Sequence, residues 1–244
     1  MFLFHPSSIG LLMSDAQSID PAFLTTQELR DMAKKKTKTD AEKAILGPLK
    51  EQSLSAGAKT ELKTMAKEFI FSYHKTVETK FMDKGLMLED RAIEFLSRFE
   101  LKRYTKNKER LKDDLLTGEC DILVPGVETI DTKVSWDVST FPLLTEDAHD
   151  PMYEWQGRAY MRLNNVPQHR VAFILLDTPE ELIKPWDQEE LHRVEQHPEH
   201  LRITTITYLR DMELEAKMVR KLTIAKEYMM NTIARINLEH RELA

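Results

Sequence analysis

The stretch CDILVPGVETIDTKVSW, residues 120–136, constrains the fold more than any other. Apolar, strand-like runs flank Pro125 and Gly126. That pair predicts a turn, because proline pre-sets φ and glycine accepts a positive φ. The expected structure is a hairpin of residues 118–124 and 127–135. Charged residues interrupt both strands. Asp131 and Lys133 lie two apart and therefore share a face, which presents an acid beside a base while Thr132 points away.

Loop length decides whether Asp121 joins them. A two-residue loop pairs Val124 with Val127 and Asp121 with Ile130, sending Asp121 and Asp131 to opposite faces. One further loop residue, or a bulge with Gly126 in the left-handed conformation, sets Asp121 opposite Asp131. An isolated D-x-K is usually a salt bridge on a polar strand edge. Together with Asp121, and with Glu89 on a preceding helix, it reads as three carboxylates and a lysine brought to one place. Oxygen donors of this kind suit Mg²⁺, with Mn²⁺ as a substitute, and phosphodiester chemistry.

Residues 26–56 read as a polar, partly helical connection. From Ala56 to Phe99 the apolar spacing predicts two helices broken near Gly85. Glu89, Ala92, Ile93 and Leu96 fall at i, i+3, i+4 and i+7, placing Glu89 at the end of an apolar stripe. The plain alternative is a helix-start glutamate that favours the positive end of the macrodipole. Residues 102–112 hold six Lys or Arg around Tyr104. This run is either a solvated face or a strip in which Lys102, Arg103, Lys106 and Lys108 contact phosphates. A helix is expected from Asp150 to Leu163, a buried strand over 170–177, and a further strand at RITTITYL. Residues 178–200 read as loop or short helix, and an amphipathic helix follows from Asp211 to Leu238. The domain division expected is an N-terminal segment, 1–55, before a domain of 56–244, with one domain over 1–244 as the alternative.

A single cysteine, Cys120, excludes an intrachain disulfide framework and an iron-sulfur site built from this chain alone. The opening MFLFHPSSIGLLM lacks the basic region of a secretory signal, and no stretch approaches a membrane span, so the cytoplasm is the expected location and no membrane partner is expected. A net charge of −6 argues against coating nucleic acid by global attraction, but leaves room for a local basic surface.

The motifs KGLMLED with Glu89, GECDIL with Asp121, IDTKVSW with Asp131 and Lys133, and YEWQGRAYM with Gln156 occur in order over residues 84–161. In that order they resemble the PD-(D/E)XK nuclease superfamily, and more closely the phage exonucleases of the lambda exonuclease or YqaJ type. The resemblance implies an α/β restriction-endonuclease-like core, with a central mixed β-sheet flanked by helices and a long C-terminal helix. It makes Asp121, Asp131, Glu89 and the Thr132 carbonyl metal ligands, Lys133 the catalytic lysine, and Gln156 the helix glutamine beside the core, with Tyr153 and Tyr160 on a similar face. If the strip of residues 102–112 is only a solvated face, other positives such as Lys34 to Lys38 or Arg158 are the expected DNA contacts. Ser8, in HPSSIGLLMSD, resembles a serine that meets DNA phosphate, although a helix N-cap explains it as simply. Cys120 stands where the superfamily's name expects proline.

The activity so implied is a Mg²⁺-dependent exonuclease on double-stranded DNA ends, of the kind used in phage recombination. The family's habits add a homo-oligomer, often a trimer, and a single-strand annealing protein as partner. A structure-selective or nicking endonuclease and a non-catalytic DNA-binding or assembly module are the rivals, since a metal core does not dictate whether DNA must have an end.

Overall fold

The computed structural model describes residues 2–74 and 79–241. Its helices are α1 (Pro6–Leu12), α2 (Gln27–Lys34), α3 (Asp40–Gln52), α4 (Ala56–Phe71), α5 (Lys80–Phe99), α6 (Pro151–Asn164) and α7 (Met212–Arg241). Its strands are β1 (Leu111–Lys112), β2 (Thr117–Gly118), β3 (Ile122–Val124), β4 (Glu128–Val134), β5 (Gln168–Ile174) and β6 (Ile203–Leu209). They sort into two compact units: α1 to α4 with α7, and α5 through β6. The first unit thus groups α4 with the N-terminal helices rather than dividing near residue 55.

In the first unit, the polar connection proves largely helical. Thr39 and Glu42 form a reciprocal capping box at the start of α3, and Pro48 is carried inside that helix. The core gathers Ile9 and Leu12 of α1, Leu62 and Ala66 of α4, and Met218, Leu222 and Ala225 of α7. Lys221 is buried, and its ammonium donates to the carbonyls of Met13 and Ser14 at 3.2 and 2.7 Å, satisfying acceptors left open where α1 ends.

The second unit is a four-stranded mixed sheet in the order β3-β4-β5-β6. β4 runs antiparallel to β3 and parallel to β5, and β6 returns antiparallel to β5. A parallel pair needs a crossover, and α6 supplies it. One sheet face, with Ile122, Ile130, Ala172 and Ile174, packs on Leu88, Ala92, Ile93 and Leu96 of α5. The other, with Leu123, Val171 and Phe173, packs on Tyr153 and Met161 of α6. Burial on both faces is why RVAFILL reads as a continuous apolar run.

Two expectations change. The helix break lies upstream of Gly85, which sits inside α5; residues 75–78 fall outside the described residues. Thr79 caps α5 by accepting the Met82 N–H at 3.2 Å. One turn on, the buried Lys84 ammonium donates to the carbonyls of Trp136 and Leu176, both at 2.8 Å. These anchors hold the helix through a glycine that costs only about 1 kcal/mol. Glu89 therefore lies in the third turn, beyond reach of a helix-start explanation. The expected strand of 118–124 is also split: Gly118 pairs back with Leu111, and the chain bends at Asp121 before β3 begins.

Candidate active site

The β3–β4 loop has three residues. Val124 pairs with Glu128, Leu123 with Thr129 and Ile122 with Ile130. This register has the parity that the longer loop was required to produce, and the chain bends at Asp121, just before the last paired residue, so that its carboxylate meets Thr132 rather than a strand partner. The Val127 N–H donates to the Val124 carbonyl at 3.0 Å. Gly126, at φ 72°, follows Pro125 as in a type II turn.

Because β3 begins only at Ile122, the Thr132 N–H on that edge of β4 has no strand partner. The Asp121 carboxylate takes its place: Oδ2 accepts the Thr132 N–H at 2.7 Å and its hydroxyl at 2.9 Å. Asp131 is 2% exposed. Its Oδ2 lies 2.5 Å from Lys133 Nζ and receives a long contact from Gln156 Nε2 at 3.5 Å. Among the described residues, no hydrogen bond reaches Oδ1 of either aspartate.

The charges do not balance. Burial, and then the negative charge of Asp131, push the Asp121 carboxyl up to about 7. Burial works against the Lys133 ammonium, but Asp131 outweighs it and holds its pKa above the ordinary lysine value. Two carboxylates thus share one lysine, and each keeps an oxygen uncommitted. Oxygen donors in a locally negative pocket fit a hard divalent cation. Among the described residues, no three Asp, Glu, His or Cys side chains form a ready-made metal cage. Glu89 is engaged elsewhere, its Oε2 lying 2.5 Å from Lys106 Nζ.

α6 furnishes the roof. Asp150 caps it by accepting the Met152 N–H at 2.7 Å, and Pro151 opens it. Gln156 also donates to the Tyr160 hydroxyl at 3.4 Å. Lys133 Nζ lies 4.9 Å from the centre of the Tyr153 ring. Burial raises the Tyr160 phenol, which stays neutral. Arg158 is placed differently from a DNA contact: it is 7% exposed, held by Glu154 Oε1 at 2.6 Å and close to the Leu209 carbonyl.

Beneath the roof, Gly157 packs directly on His169. A Cβ at Gly157 would stand 2.2 Å from His169 Cδ2. His169 is fully buried, with Nδ1 2.9 Å from the Thr129 hydroxyl. Burial pulls its pKa down to about 4, so the ring is neutral in the folded protein. Below its ordinary pKa of about 6.5, the unfolded chain gains a proton that the folded chain refuses. Stability should therefore fall as pH drops from 6.5 toward 4, by about 3 kcal/mol across that window. Urea unfolding of the parent and His169→Asn from pH 7 to 4.5 checks this, and equal pH slopes in the two would refute it.

The basic strip leaves α5 through Leu101, a non-glycine residue at φ 53°. Tyr104 is anchored by a half-buried network: its hydroxyl donates to Glu100 Oε2 at 2.7 Å, and Arg170 bridges Glu100, Tyr104 and Glu128. Asn107 fastens the other end, its N–H donating to the Asp121 carbonyl at 2.7 Å. Lys102 pairs with Glu100 at 3.2 Å, while Arg103 and Lys108 are exposed. Between α5 and the strip runs a groove of about 630 Å³. Ser8 lies in α1, in the other unit, where His5 rather than Ser8 is the N-cap and the serine hydroxyl donates to the His5 carbonyl at 2.8 Å. Cys120, 1% exposed, has its thiol pushed up to about 12 by burial, which makes it inert.

Sequence reasoning missed Thr132 as the holder of Asp121, Asn107 as a clamp, and the Gly157–His169 contact. Thr132 sat within the motif. Nothing local marked the others.

Neither any protein-family model nor any curated protein matches the chain. Solved structures do. A phage-related exonuclease from Haemophilus somnus 129PT is 29% identical, with 96% of each chain covered and a TM-score of 0.78. An alkaline exonuclease from Laribacter hongkongensis shares the fold at 12% identity and a TM-score of 0.60, over 80% of this chain and 91% of that one. That exonuclease has also been solved in complex with dAMP, with a TM-score of 0.59. The mixed sheet, its flanking helices and the hairpin with its ordered acids and lysine define a nuclease fold of the PD-(D/E)XK class. The neighbour at 29% identity is itself a phage-related exonuclease, in keeping with the resemblance of the ordered motifs to the lambda exonuclease or YqaJ type.

Proposed function

We propose that this chain is a Mg²⁺-dependent DNA exonuclease that hydrolyses phosphodiester bonds at double-stranded ends. The observation that carries the reading is the pair Asp121 and Asp131, close enough for the charge of Asp131 to raise Asp121, each with one uncommitted oxygen and Lys133 beside them. Asp121, Asp131 and the Thr132 carbonyl would hold the ion, with Glu89 joining from α5. When bound, a divalent ion supplies Lewis-acid stabilisation of the phosphoryl oxygens and a more acidic water.

The protein's own groups do the rest. Lys133 remains protonated and offers positive charge and a hydrogen-bond donor where charge develops on the phosphate. Gln156 steadies Asp131 from above, and Tyr153 packs beside the Lys133 ammonium. Thr132 keeps Asp121 aimed. Exonuclease rather than endonuclease is favoured by the neighbour of 29% identity, itself an exonuclease.

Linear and covalently closed duplexes, incubated with Mg²⁺ or EDTA, test this reading. Linear DNA should be shortened only with Mg²⁺, and closed circles should survive. Nicking of circles would favour the endonuclease reading, and binding without turnover the non-catalytic one.

A further inference from the structure

Lys106 is held in an unusual way. Its backbone is pinned on both sides: Tyr104 N–H donates to Ser97 Oγ at 3.1 Å, and Asn107 Nδ2 donates to the Cys120 carbonyl at 3.2 Å. Only its four-carbon side chain is left to move. That side chain is 41% exposed, and its ammonium lies 2.5 Å from Glu89 Oε2. The hydrogen bond to Glu89 raises its pKa, with Asp90 and Asp121 adding to the effect, so a full positive charge stands among three carboxylates. Lys106 also lines both the groove beside α5 and an adjoining one of about 590 Å³ that includes Asn107 and Lys108.

One ammonium neutralises one carboxylate; a divalent ion held by the aspartates with Glu89, as in the reading above, would contend for the same Glu89 oxygen with twice the charge. An ammonium so displaced sits at the lip of an open groove, where an anionic backbone is the natural counter-ion. We propose that Lys106 is the resident counter-ion of Glu89 and exchanges that carboxylate for a DNA phosphate when a divalent ion arrives, so that metal and DNA bind with positive coupling. This rests on the reading above that the site holds such an ion.

The test is Mg²⁺ titration calorimetry without DNA, together with duplex binding by fluorescence anisotropy in a Lys133→Ala background with Mg²⁺ or EDTA. Lys106→Met should tighten Mg²⁺ by about 2- to 5-fold, the size expected from freeing a part-exposed ion pair. Reciprocity requires that the gain in DNA affinity brought by Mg²⁺ shrink in the same variant. Lys106→Arg, which keeps the charge, should retain both behaviours. Unchanged or weaker Mg²⁺ affinity in Lys106→Met overturns the inference. If the parent binds Mg²⁺, Asp131→Asn loses it and Lys106→Met is silent, this inference alone fails. If the parent binds none, the metal reading fails with it.

Discussion

Lys133→Ala should lower the cleavage rate on linear duplex DNA by a factor of about 10² to 10⁴, the range for removing a positioned charged group from the chemical step. The fold should survive, because Lys133 extends from the end of β4 and its loss leaves Asp131 still accepting from Gln156. Asp131→Ala should be as damaging to turnover for a different reason. It removes a proposed metal ligand, strands the Lys133 ammonium without its carboxylate, and relieves the repulsion that helps to push Asp121 up to about 7. Calorimetry should separate the two variants, with Mg²⁺ affinity falling sharply in Asp131→Ala and persisting in Lys133→Ala. Parent-level cleavage in both purified variants would sink the catalytic assignment.

Gly157→Ala should destabilise the protein by about 3 kcal/mol or more, a large effect for one methyl group. The added Cβ would meet a buried imidazole ring at 2.2 Å, with Cγ at 2.7 Å, so helix and strand must separate or the ring must turn. Neither is cheap, since Tyr160 packs tilted over the same ring with centroids 5.9 Å apart. Because α6 also carries Gln156 and Tyr153, activity should fall along with stability. His169→Ala in the Gly157→Ala background should recover about 1–3 kcal/mol relative to the sum of the single changes. Strict additivity in urea melts would show that the contact is not the cause.

The hairpin was legible in the sequence because its rules are local. Strand alternation, a Pro-Gly turn and the parity of the loop together demanded that Asp121 face Asp131 if both served one site, and the register of β3 on β4 has that parity. α6, β5, β6 and α7 were legible for similar reasons of periodicity and capping. Residues far apart in the chain were not. α5 runs through Gly85 because Lys84 finds carbonyls at Trp136 and Leu176, some fifty and ninety residues onward. Glu89 acquires Lys106 as its partner, and Arg158, which composition offers to DNA, is turned inward to Glu154. The sequence alone therefore determined that Asp131 and Lys133 share a strand face, since covalent spacing and the pleat enforce it, and left the side taken by Asp121 to the length of the loop. Only the tertiary structure decided what surrounds them, because partners brought in from other elements depend on how the helices pack across the sheet, and no local pattern encodes that.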